Sequence, residues 1–166
     1  MGERALETNA MQSTTLIRGA SADDVARIRA IARAAYAKYV PRIGHEPAPM
    51  AADYDAEVAA HHIVVIEVTG NVDGYMVAWP EADAYFIDNI GVDPSRQGVG
   101  LGRRLLAYAA AEAERLHLPA LRLYTNVAMV ENLSMYAHLG FVETQRVTEK
   151  GFNRIYLRRS LAKTER

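Results

Sequence analysis

Three glycines occupy alternate positions in Asp93–Leu106, DPSRQGVGLGRRLL, between a β-like run, AYFIDNIGV, and a leucine-rich segment with helical spacing. Gly98, Gly100 and Gly102 each add backbone freedom that folding must remove, so neither a strand nor a helix gains from them. They mark a strand-to-helix junction to which the remaining elements must be fitted. Downstream, a helix to about Leu116 is followed by a β run, ALRLYTN, and a helix from about Met129 to His138. Two closing strands follow, around FVETQRVT and RIYLRRS.

Upstream, a short β run, TTLIR, leads to Ser21, an N-cap residue with Asp24 three positions on in a capping-box arrangement. Val25, Ile28, Ala32, Ala35 and Tyr39 then recur at three- and four-residue steps, which predicts a helix over about 22–38. Pro41, Pro47 and Pro49 break regular structure across VPRIGHEPAPM, and a second short helix is expected near Asp53. HHIVVIEV and VDGYMVAW flank a Gly70-Asn71 turn as two antiparallel strands would. Strands paired by hairpins at both ends, with helices and strands alternating between them, describe a mixed α/β (α+β) sheet.

The chain has 166 residues, enough for one domain, expected over 14–162 behind a flexible lead-in at 1–13. A net charge of −1 with acids and bases interspersed leaves no basic footprint for nucleic acid. The absence of cysteine excludes disulfides, a thiolate nucleophile and cysteine-based zinc sites, and suits the cytoplasm. No apolar run approaches the roughly 20 residues that a membrane helix needs, so no membrane partner is expected. Adjacent residues on a strand face opposite ways, so His61-His62 do not share an ion and no metal is assigned.

Bare backbone at the start of a helix fits an anion, because the first amides have no partner in the helix and lie at the positive end of its dipole. Arg96, Arg103 and Arg104 are cationic donors beside it, so pyrophosphate recognition is the reading for Gln97–Arg103. It is neither a P-loop, which needs Gly-Lys-Ser/Thr where Arg103 and Arg104 follow Gly102, nor a dinucleotide fingerprint, since Leu105 stands where the last glycine belongs.

Gln97-x-x-Gly100-x-Gly102 after a strand ending IGVDP resembles the acyl-CoA pyrophosphate loop of the GNAT superfamily of N-acyltransferases. Asn132-Leu-Ser-Met-Tyr136-Ala-His-Leu-Gly140-Phe141 resembles that family's fourth-helix motif. The resemblance spans about 14–160. It implies a mostly antiparallel sheet of six or seven strands, about four flanking helices, and a splayed V between the fourth and fifth strands. It also implies an acetyl-CoA-dependent N-acetyltransferase acting on a primary amine by direct attack in a ternary complex. A CoA-sensing or partner-binding module that transfers nothing is the alternative, and a homodimer through closing strands or helix faces is compatible with the pattern.

By resemblance, the cofactor site comprises Ile90, Gly91, Val92, Arg96, Gln97, Gly98, Val99, Gly100, Leu101, Gly102 and Arg103, with backbone at Ile90 and Val92 pairing with pantetheine. Met129 stands where many members carry asparagine; Asn132, one helical turn before Tyr136, faces the same cleft and takes that role. Tyr136 is the candidate proton donor to the departing thiolate. The amine must lose a proton, since a lysine-like pKa near roughly 10 leaves it charged at neutral pH. Asp88, expected on the face of Ile90, is the first candidate base and Glu131 the second. Acceptor walls are expected from Tyr36, Tyr39, Arg42 and Tyr54, with Arg42 placed to pair with an acceptor carboxylate. Gly91 fits either a bulge or close packing.

Overall fold

The sequence folds around a seven-stranded sheet of order β1-β2-β3-β4-β5-β7-β6, antiparallel except for β4 and β5. The computed structural model describes residues 14–161, so the lead-in expected at 1–13 lies outside it. The strands are β1 (Thr15–Gly19), β2 (Ile63–Val68), β3 (Asn71–Pro80), β4 (Tyr85–Val92), β5 (Ala120–Asn126), β6 (Val142–Glu149) and β7 (Phe152–Ser160). The helices are α1 (Val25–Tyr36), α2 (Val40–Ile43), a single turn, α3 (Tyr54–Ala59), α4 (Leu101–Arg115) and α5 (Val130–His138). The helix expected over 22–38 is α1 with a 3₁₀ turn at each end.

Local chemistry explains the hairpins. Thr69 (φ 51°) and Gly70 (φ 82°) both take left-handed backbone, which matches the twist of the strands they join. The turn therefore lies one residue earlier than Gly70-Asn71, because Asn71 already pairs with Val68. Lys150 and Gly151 repeat the device between β6 and β7, with φ 52° and 78°.

The sheet buries a cluster on each face. Ile66, Met76, Ile87, Leu121 and Leu123 meet the apolar stripe of α4, led by Leu105 and Leu106. Ile63, Val65, Tyr75 and Val77 meet Val25, Ile28, Ile31 and Ala32 of α1 and Tyr54 of α3. Each large side chain so buried contributes about 1.5–3 kcal/mol, which fixes the strand faces and the helices above them.

One irregularity shapes the centre. Opposite the step Val77–Ala78, β4 advances from Asn89 to Ile87, so Asp88 is the additional residue of a β-bulge. Parity reverses there. Ile87, Ile90 and Val92 all belong to the α4 face, whereas Asn89 pairs with Val77 and Gly91 with Tyr75 on the α1 face. Asp88 and Asn89 thus stand side by side on the α1 face. The expectation that Asp88 shares a face with Ile90 is corrected by this bulge. β4 and β5 pair only from Tyr85 to Ile87 and from Leu121 to Leu123, then part.

Gly91 is a packing glycine rather than the bulge. A Cβ there would lie 2.3 Å from Tyr75 Cε1, and Tyr75 is fully buried with its hydroxyl 3.2 Å from that of Tyr54. Overpacking of this kind costs about 3 kcal/mol. Gly91→Ala is accordingly expected to lower the urea midpoint of unfolding by an equivalent amount with an unchanged slope. A loss below about 0.5 kcal/mol would show that Tyr75 moves freely aside.

Candidate active site

The connection from β4 to α4 is pinned at its entry. Asp93 Oδ1 accepts the N–H and hydroxyl of Ser95 at 2.9 and 2.8 Å, and Oδ2 accepts from Arg27 at 2.7 Å. These donors hold the Asp93 carboxyl down at about 2. Past that anchor, Gly98 (φ 86°) and Gly100 (φ 89°, the N-cap of α4) are left-handed, with nothing within 4 Å of an added Cβ. Both glycines thus supply a backbone shape and an unobstructed surface. Gly102 differs: it is helical, and an added Cβ there would make only ordinary contact with Val92 Cγ2 at 4.0 Å.

The first intrahelical bond of α4 runs from Arg104 N–H to Gly100 C=O. The N–H groups of Gly98, Val99, Gly100, Leu101, Gly102 and Arg103 reach no acceptor among the described residues. Leu101 sends its side chain into the core and Val99 sends its own to solvent, so this surface is main chain. It lines an outer groove of about 620 Å³ together with Gln97, Arg96 and Arg103. Arg96 also lies 3.1 Å from buried Asp73 through Nε. Arg104, expected beside the anion, instead borders a different surface depression with Thr15 and Ile17.

The splay turns part of β4 toward the groove. Asp93 N–H donates to Asp73 C=O, so by strand alternation Gly91 and Asn89 bond to β3 while Ile90 and Val92 face the gap. The Tyr36 hydroxyl donates to Ile90 C=O at 2.8 Å, and Gln97 Nε2 donates to Val92 C=O at 3.2 Å. Each carbonyl keeps a second lone pair.

Across the gap, α5 presents Asn132 and Tyr136. Buried Met129 sits at the N-cap of α5, where its sulfur accepts from Thr125 Oγ1 at 3.5 Å and from Asn132 Nδ2 at 3.7 Å. Tyr136 packs edge-on against Phe141, at 5.5 Å between ring centroids, and is 9 % exposed. Its hydroxyl makes no hydrogen bond to a described residue. Burial raises it to about 12, so it keeps its proton at neutral pH.

Behind this junction lies an inner chamber of about 40 Å³. Tyr36, Ile90, Asn132 and Tyr136 line both spaces and form the passage between them. Asp88 lies in the chamber wall, accepting from Asn89 Nδ2 at 3.0 Å and from the Tyr124 hydroxyl at 3.3 Å. Arg154 of β7 enters the wall stacked on Tyr124, with its guanidinium carbon 4.4 Å from the ring centroid. Pro47, Ala48, Pro49 and Phe152 cover the space, and His45 ties the two covering segments together. Its ring meets Phe152 edge-on at 4.8 Å, and its Nε2 lies 3.3 Å from Gly151 C=O.

The other expected residues lie elsewhere. Glu131 is exposed and paired with Arg42 at 2.8 Å, and that guanidinium holds its carboxyl down at about 2. Such a group is a poor base at neutral pH, and Arg42 is occupied by the same pair. Tyr39 and Tyr54 are buried outside both cavity walls, with the Tyr54 hydroxyl donating to Pro49 C=O beside Tyr75. His62 pairs with Glu57, and no cluster able to hold a metal occurs among the described residues. Sequence reasoning missed Asn89, Tyr124 and Arg154. The alternation of ALRLYTN and RIYLRRS was the available signal, since Tyr124 and Arg154 occupy the non-core parity of their strands.

Residues 26–141 match the family described as acetyltransferase (GNAT) family. Similar solved structures include the ribosomal-protein-S18-alanine N-acetyltransferase of Escherichia coli, at 18% identity and TM-score 0.71 over 92% of this chain and 97% of that one. The PaiA N-acetyltransferase of Thermoplasma acidophilum, in complex with coenzyme A, gives 15% identity and TM-score 0.73 over 89% and 99%. YncA of Salmonella typhimurium, a putative acetyltransferase solved with its cofactor acetyl-CoA, gives 24% and 0.64 over 90% and 95%.

Proposed function

The chain belongs to the GNAT acetyltransferase family, and on that premise we propose that it moves an acetyl group from acetyl-CoA to a primary amine where its two cavities meet. The observation that carries this is the row of unpaired amides from Gly98 to Arg103, opening onto a passage lined by Tyr136. Those amides, the dipole of α4 and the nearby Arg96 and Arg103 suit a diphosphate. The outward backbone of Ile90 and Val92, flanking Gly91, suits the amides of pantetheine, and the Asn132 side chain lies opposite. When bound, acetyl-CoA supplies the acetyl group as an activated thioester.

The remaining roles fall to side chains around the passage. Tyr136 holds a proton at its hydroxyl for the departing thiolate. Asp88 takes the proton of the entering amine at the carboxylate oxygens that now accept from Asn89 and Tyr124. Tyr36 orients Ile90 and walls the passage. With no cysteine to carry an acyl group, direct transfer from donor to acceptor is the mechanism. The partners proposed are acetyl-CoA and the amine, without nucleic acid, and a homodimer is compatible with this reading. No helix among the described residues is long and apolar enough to cross a membrane, and the cysteine-free composition accords with the cytoplasm.

Calorimetry with CoA tests the outer groove. Binding is expected for the wild-type protein, and Gly100→Val is expected to weaken it at least about tenfold, since the new side chain opposes a left-handed backbone and projects into the cradle. The absence of heat at millimolar CoA would remove this function.

A further inference from the structure

We propose, building on acetyl transfer, that the inner chamber selects a small amine that also carries a carboxylate, with Asn89 and Arg154 setting that choice. Asn89 is 6 % exposed, and its Nδ2 donates to Asp88. That bond fixes the amide, because the reverse orientation would set two acceptors together. Asn89 Oδ1 is then buried with no partner, and an unsatisfied acceptor of this kind is destabilising. Asp88 and Asn89 share one face only because of the bulge in β4. Together they present the Asn89 Oδ1 and the Asp88 carboxylate as acceptors, a surface suited to the N–H groups of an amine.

The complementary charge stands on the same wall. Arg154 is 11% exposed at its side chain, with Nη1 3.3 Å from Glu149 Oε1. It makes no other hydrogen bond or ion pair to a described residue, so the rest of its planar fork is available to a carboxylate. Tyr124 measures the separation: its hydroxyl reaches Asp88 and its ring lies under Arg154. One tyrosine side chain therefore spans the two charges, which is the scale of a free amino acid. The chamber, about 40 Å³ beside Pro47, Ala48, Pro49 and Phe152, suits a small acceptor better than an extended peptide. Transfer balances on this acceptor: the ammonium's first proton passes to Asp88, an N–C bond forms as C–S breaks, the thiolate takes the Tyr136 proton, and the second proton of the acylated nitrogen returns to the Tyr136 oxygen.

The test is CoA-thiol release from acetyl-CoA with free L-amino acids, their carboxamides, the decarboxylated amines and unblocked tripeptides. At least one amino acid is expected to show kcat/KM tenfold or more above its own carboxamide and decarboxylated amine, with no product from tripeptides. Arg154→Gln is expected to bring the ratio of kcat/KM between that amino acid and its carboxamide down from tenfold or more to about one. Asn89→Leu is expected to raise KM for every amine. Carboxamides or tripeptides turned over as well as amino acids by the wild-type protein would overturn the proposal, and that comparison requires no variant to fold. A protein that binds CoA in calorimetry yet acetylates only amines without a carboxylate would also overturn it, while leaving acetyl transfer intact. Loss of CoA binding itself would instead remove the function beneath it.

Discussion

Tyr136→Phe is expected to lower kcat for acetyl transfer by about 10²–10³-fold, within the range that a positioned general acid supplies, while the affinity for CoA stays within about threefold. The asymmetry follows from placement. The ring is held by Phe141 and the helix, so the phenyl group keeps the packing, whereas the hydroxyl has no described partner to lose. Its pH signature is specific. Burial raises this hydroxyl to about 12, and the acid form exists below its pKa. The wild-type rate should therefore hold through pH 9–10, where an ordinary tyrosine near 10 would begin to lose its proton. A variant with kcat within threefold of wild type would assign thiolate protonation elsewhere. Unchanged CoA binding with no turnover in either protein would favour a sensing module.

Asp88→Asn is expected to reduce kcat/KM about a hundredfold at neutral pH. Lost with the carboxylate are the acceptor for the amine's proton and one of the two oxygens that accept from Asn89 Nδ2 and the Tyr124 hydroxyl. The deficit should narrow as pH rises toward the amine's own pKa, roughly 10 for a lysine-like acceptor, because solution then delivers the neutral amine that the side chain no longer makes. An equal deficit at every pH would make Asp88 a positioning residue for the bulge rather than the base. Glu131→Gln is the matched control. With its carboxyl held near 2 by Arg42, it should change the rate by less than about threefold.

Where local chemistry decides structure, the sequence was readable. Ser21, Asp53 and the glycines at 98 and 100 announce helix starts through their own side chains or backbone freedom, and β5 coincides with the run ALRLYTN. The tyrosine of α5 was likewise evident from Tyr136 with Gly140 and Phe141. What stayed hidden depends on neighbours distant in the chain. The bulge at Asp88 exists only as a register against β3, so alternation along the sequence puts Ile90 on the face of Asp88 where the structure puts it on the other. Arg42 and Glu131 find one another across 89 residues, which converts two candidate functional groups into a surface pair. Tyr54 reads as an accessible aromatic in a proline-rich connection, yet Tyr75 and Pro49 draw it into the core. Arg154 looks like one of several arginines in a closing strand until its stacking on Tyr124 brings it into the chamber.

The two side-chain donors that cap Ile90 and Val92 solve a hazard created by the splay. A strand parted from its neighbour exposes a ladder of acceptors, and such ladders invite annealing with foreign chains and self-association into fibrils. Tyr36 and Gln97 quench two successive rungs from outside the sheet, so the protein keeps an interior frontier that a pantetheine arm can share but another strand finds already occupied.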